Sequence, residues 1–206
     1  MVILLPTFYS LLGSKGTATT IAWSLKSEYN PLLMASKLFI GSFDFHEMQK
    51  GYPNIFVGSL AMFSFLCYFK EKKIALSQRL YALFIAIVLL ISFNIEMFDK
   101  LWHAGQLPNW YSYRFSFLFS FWMVFLGYQW ALKKTAVGIH ETFVYFFLVL
   151  ATSIGFILFP QDYLQGWQIA LGFGLSMGIL YGLILIGRGK RTHQKFLISF
   201  VVIELL

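Results

Sequence analysis

The sequence predicts an all-α membrane protein, a polytopic bundle of transmembrane helices, and three observations carry that prediction. The 206 residues are 58% hydrophobic and only 12% charged, which leaves too little polar surface to cover a water-soluble globule of this size. Apolar runs such as Tyr81 to Ile95 and Phe143 to Phe159 approach the roughly 20 residues a helix needs to cross about 30 Å of hydrocarbon. The alternation of a membrane barrel strand occurs faintly over Arg114 to Phe121 alone, and one such stretch cannot close a barrel.

Placing helices at the apolar runs, with breaks at charged or Pro/Gly clusters, gives about seven membrane segments, of which the first and last are incomplete. They are Val2 to Leu12, Ile55 to Phe69, Leu80 to Met97, Phe115 to Leu132, Thr142 to Phe159, Trp167 to Ile186 and Phe196 to Leu206. The first has no basic leader and no small-residue cleavage site, so it reads as a partial helix rather than a secretory signal. Cys67 is the single cysteine. It excludes a disulfide framework or thiolate metal cluster within this chain and reads as a packing residue.

The loops alternate in charge. Lys70, Lys72, Lys73 and Arg79, then Lys133 and Lys134, then Arg188, Lys190, Arg191 and Lys195 place ten basic residues at one end of the bundle. The other end carries six, Lys15, Lys26, Lys37, Lys50, Lys100 and Arg114, over much longer loops. The positive-inside rule therefore puts the ten in the cytoplasm and makes the net charge of +7 an anchoring feature. No nucleic-acid partner is expected, because no basic face accompanies a soluble fold.

Residues 13–54 and 98–113 are then extracytoplasmic. In the first, Asn30-Pro31 supplies an N-cap and a proline at the first helical position, predicting a helix over Leu32 to Phe43. Its apolar residues suit either an amphipathic helix at the interface or a helix buried within the loop. Small residues at Gly174, Gly178 and Gly182, and at Ser112, Ser116 and Ser120, predict close helix packing.

The densest set of functional groups runs from Glu96 to Arg114. Trp102 and Tyr113 offer aromatic faces for a sugar, Gln106 and Asn109 offer amides for hydroxyls, and His103 and Arg114 suit a phosphate. An ordinary aromatic belt with a snorkelling arginine is the competing explanation. Asp44, His46 and Glu47 have no metal-ligand spacing and read as a solvated loop; no metal site is predicted. Glu204 falls near the middle of the bilayer, where carboxylates are costly, and function and structural pairing stand level for it.

The stretch Trp102-His-Ala-Gly-Gln-Leu-Pro-Asn-Trp-Tyr-Ser-Tyr-Arg-Phe-Ser-Phe-Leu-Phe-Ser-Phe121 resembles the signature of the bacterial YfhO family, which usually reads Gly at Ala104 and Pro at Ser112. Leu5 to Leu12, Tyr52 to Gly58 and Ile203-Glu204 are similar to further parts of it. The resemblance implies a C-type (GT-C-like) membrane glycosyltransferase, multi-pass in the plasma membrane, that transfers a sugar from undecaprenyl-phosphate-sugar to a teichoic-acid-type envelope polymer. Its partners would be membrane lipid, the lipid-linked sugar donor, the polymer acceptor and other membrane glycosylation proteins. No cofactor is evident, and a divalent-metal requirement stays open.

The resemblance also implies that this chain is the central fragment of a longer protein, inactive alone, with its catalytic carboxylate in an outer loop elsewhere. Asp99 and Asp44 are the candidates within the chain. The alternative functions are a transporter or flippase for lipid-linked sugars and a non-catalytic assembly subunit.

Overall fold

The computed structural model describes residues 24–103, 111–133, 137–187 and 194–205. Among them the chain forms α1 (Phe45–Lys50), α2 (Ser59–Tyr68), α3 (Leu76–Ser92), α4 (Glu96–Trp102), α5 (Phe117–Lys133), α6 (Ile139–Leu158), α7 (Gly166–Gly187) and α8 (Gln194–Leu205). Two 3₁₀ helices, Pro31–Leu38 and Arg114–Ser116, join them. The described residues contain no strand, only two isolated bridges, so the all-helical prediction holds. Three segments, Arg114–Lys133, Ile139–Leu158 and Gly166–Ile186, are long and apolar enough to cross a bilayer. α2 and α3 are apolar but shorter, and the first predicted segment, residues 2–12, lies outside the described residues.

Two predicted segments differ from the helices that form, one through a backbone conformation and the other through contacts with residues 24–29. α2 begins at Ser59 rather than Ile55, because Gly58 before it has φ of 79°, a left-handed conformation that a residue without a Cβ adopts freely. The predicted helix over Leu80 to Met97 is two helices with a turn between. There the Asn94 side-chain amide donates to Tyr29 O (2.7 Å) and its carbonyl accepts from Ser27 Oγ (2.8 Å). Antiparallel contacts of Glu28 N with Asn94 O and of Glu96 N with Lys26 O bind residues 24–29 across that turn. The helix expected over Leu32 to Phe43 is a shorter 3₁₀ helix, capped as predicted by Asn30, whose side chain accepts from Leu32 N.

α2 is the centre of the bundle. It packs on α5, α7 and α8, and Phe63 at its middle is 1% exposed, with Trp130 and Tyr145 set edge-on against its ring at 5.7 and 5.1 Å. Gly127 of α5 permits this approach, since a Cβ there would stand 3.1 Å from Ser64 Cβ. Around this core α3 and α6 turn Leu80, Phe84, Val88, Phe143, Phe147 and Ile157 outward, the surface expected of helices solvated by lipid.

The glycine stripe of α7 packs α8 at two of its three positions. A Cβ at Gly178 would come within 2.1 Å of the Phe200 ring and one at Gly182 within 3.3 Å of Leu197, whereas Gly174 has nothing within 4 Å. Gly178→Ala is therefore expected to destabilise the protein by about 1–3 kcal/mol, the usual cost of overpacking. Adding Phe200→Ala should recover part of that loss, and Gly174→Ala should cost little; thermal unfolding in detergent micelles reads all three.

Candidate functional site

The segments around Tyr29, Tyr52, Asn94, Tyr113 and Tyr163 come together into a polar layer rich in tyrosine. Beside it runs α4, where Asp99 is 1% exposed and neither carboxylate oxygen accepts a hydrogen bond among the described residues. His103, at the C-terminal end of α4, places Nδ1 2.9 Å from the Asp99 carbonyl and 3.3 Å from its Oδ1. Burial, and after it the Glu28 carboxylate, push Asp99 up to about 7. A carboxyl in that state changes protonation near neutral pH, which suits a general base.

Glu28 reaches this place from the extended segment 24–29 and accepts a hydrogen bond from Tyr113 Oη. Burial raises it above the ordinary carboxylate range, and the Tyr113 hydrogen bond works against that rise. Tyr113 is itself raised, chiefly by burial. The two acids thus differ: Glu28 is held as an acceptor, while the Asp99 oxygens accept no hydrogen bond among the described residues and lie 3.3 Å at nearest from His103 Nδ1. Lys100 and Glu96, one turn apart on α4, form an ion pair beside them.

Trp102 lies half exposed and stacks on Phe115 with centroids 4.9 Å apart and planes 11° from parallel. Arg114 is exposed, and its Nε–H donates to Tyr111 O at 3.3 Å. Tyr111 is the one non-glycine residue with positive φ, 53°, among the described residues. So the structure brings Trp102, His103 and Tyr113 together with Asp99 and sets Arg114 at the rim. Gln106 and Asn109 lie outside the described residues.

Asp44 has a different position. Its side chain accepts from Glu47 N at 3.0 Å and caps α1, which gives it a structural use. Glu47 in turn pairs with Lys37, at 2.5 Å. Lys37 is fully buried, donates also to Ser42 O (2.6 Å), and lies 3.8 Å from the centre of the Tyr163 ring. Burial lowers Lys37 below the usual lysine range, and Glu47 opposes the shift. Burial also pushes Tyr163 up to about 12. The two charge centres are joined by neighbouring rings, Tyr163 to Tyr52 at 5.6 Å, Tyr52 to Tyr29 at 4.7 Å and Tyr29 to Tyr113 at 5.9 Å.

Glu28 and Lys37 were not among the residues singled out by the sequence. For Lys37 a signal exists, a lone cation in the otherwise apolar run Pro31 to Ile40. For Glu28 none does, since its partner Tyr113 is 85 residues away. Among the described residues no group of three or more His, Cys, Asp or Glu side chains is placed to hold a metal ion. Glu204 belongs to the bundle interior, where it accepts from Ser59 N at 2.8 Å.

Across residues 1–206 the chain matches the family model described as bacterial membrane protein YfhO. No curated protein and no solved structure matches it.

Proposed function

Because the chain belongs to the YfhO family of bacterial membrane proteins, we propose that its polar layer is the donor-handling face of a C-type membrane glycosyltransferase. In this reading a bundle of about seven segments in the plasma membrane presents the layer on the extracytoplasmic side. It receives undecaprenyl-phosphate-sugar and passes the sugar to a teichoic-acid-type acceptor. The observation that carries the proposal is Asp99, a buried carboxyl poised near neutral pH beside an imidazole and an aromatic platform.

Each group has a task that follows from its chemistry. Asp99 removes the proton of an acceptor hydroxyl as that oxygen attacks the anomeric carbon. The exposed face of Trp102 stacks on the sugar, and Arg114 and His103 steady the phosphate that leaves with the lipid. Arg114→Ala is expected to lower sugar transfer by about 10²–10³-fold, as loss of a leaving-group contact does. The assay is transfer from sugar-loaded undecaprenyl phosphate in membranes containing the full-length protein; an unchanged rate removes Arg114 from the site.

One observation favours a second reading, a transporter or flippase for lipid-linked sugars. α2 has ten residues and is preceded by non-helical backbone, and broken helices of this kind mark substrate sites in transporters. Movement of the labelled donor across protein-containing vesicles without sugar transfer would select it over the enzyme.

A further inference from the structure

Glu204 is 3% exposed, on α8, among the apolar helices. Its carboxylate accepts two hydrogen bonds from one residue, Ser59, through the backbone N–H and the hydroxyl. Ser59 Oγ in turn lies 2.7 Å from Ser176 Oγ of α7, a pair in which either hydroxyl can donate. Tyr145 Oη donates to Ser59 O at 3.2 Å. Among the described residues no lysine, arginine or histidine pairs with Glu204. The titratable groups that face it are Tyr145 from α6 and, along the neighbouring cleft, Tyr128 from α5, while α7 presents Ser176.

Capping α2 does not require a charge, because a neutral amide or hydroxyl accepts the same N–H. A carboxylate inside a membrane bundle therefore calls for another explanation, and the cavities supply one. On one side of Glu204 is a pocket of about 20 Å³, with Ser59, Thr152 and Ser176 among its lining, that extends to Phe39 and Ile40, just past the 3₁₀ helix Pro31–Leu38. That volume exceeds the roughly 10–15 Å³ one water needs. On another side is a cleft of about 420 Å³ between α2, α5 and α8, reaching Tyr128 and Ala131. Glu204 is the one residue lining both.

We propose that Glu204 is a proton-binding site inside the membrane, exchanging its proton with water in the pocket on one side and in the cleft on the other. The hydroxyl pair makes both states acceptable. With Glu204 ionised, Ser59 Oγ–H donates to it. With Glu204 protonated, its own O–H donates to Ser59 Oγ, which turns its proton to Ser176 Oγ. One proton passes between water and carboxylate, no other bond changes, and no polar group is stranded in either state. The site stands apart from the polar layer and its chemistry.

The test uses dicyclohexylcarbodiimide, a lipid-soluble reagent that adds to protonated carboxyl groups and leaves a stable acylurea. The whole chain is labelled in liposomes across a pH series and mapped by mass spectrometry. The expected result is an adduct on Glu204 whose yield falls about tenfold per pH unit above the midpoint of its titration, with none on that peptide in Glu204→Gln. Sodium chloride substituted for choline chloride should give no protection. No adduct at any pH, a yield independent of pH, or saturable protection by sodium, which would mark a metal-cation site, each overturns the proposal. Labelling is read on the unmodified chain, and a carboxyl C=O infrared band that moves with pH there and is absent from Glu204→Gln gives a second, independent readout.

Discussion

Replacing Asp99 by asparagine is expected to reduce sugar transfer by about 10²- to 10⁴-fold, the range a positioned general base contributes. Asparagine keeps the volume and cannot take a proton, so the loss should appear in turnover rather than in donor affinity. The pH profile of the wild-type rate should rise through about 7, where burial and Glu28 place the Asp99 carboxyl, and the variant should lack that limb. Wild-type rates in Asp99→Asn at every pH would take Asp99 out of the chemistry.

The same substitution should act on stability in the opposite direction. Between the ordinary value of 3.8 and about 7, the folded protein keeps the Asp99 proton while the unfolded chain has lost it. The folded state thus binds more protons in that window, and stability falls as the pH rises through it. Above about 7 both states are ionised and the penalty is constant. Asp99→Asn is therefore expected to raise the melting temperature at pH 8 and to flatten its dependence on pH between 4 and 7. Glu28, raised in the same direction, leaves a residual slope of the same sign.

Glu47→Gln is expected to produce the largest loss of stability, about 3–5 kcal/mol, because it leaves a buried ammonium without its counter-charge. Lys37 is fully buried, and Glu47 is its sole ion-pair partner among the described residues. The deficit should shrink as the pH rises toward the ordinary lysine value of 10.5, since burial lowers Lys37 further once Glu47 no longer opposes it, so the folded variant releases that proton before the folded wild type does. Removing both charges, as Lys37→Met with Glu47→Leu, should be close to neutral, because the desolvation of both ions disappears together. Thermal unfolding of the three proteins checks this, and a double variant as unstable as Glu47→Gln would contradict it.

Much of the helical architecture was legible because hydropathy is a local property. The predicted Thr142 to Phe159 and the observed Ile139–Leu158 differ by three residues at most, and the cap at Asn30 followed from two adjacent letters. The breaks were not legible, because windows of apolar side chains say nothing about where backbone groups find partners. Ile55 to Gly58 is apolar and Phe93 to Ile95 carries one polar residue, Asn94, and what interrupts the helices there is the positive φ of Gly58 and the contacts with residues 24–29. Within the site, the part on one short segment, Asp99 to Arg114, could be read from its composition. The parts assembled across the chain, Glu28 against Tyr113 and Glu204 against Ser59, follow only from tertiary packing.

The brevity of α2 bears on how the polypeptide is made. Ten helical residues rise about 15 Å, half a bilayer, so α2 cannot leave the translocon sideways into lipid as a self-sufficient hairpin arm. The amide at its head is satisfied by a side chain translated 145 residues later. Nascent chains stopped before residue 204 should therefore hold this segment in an aqueous or chaperoned setting until α8 has been made.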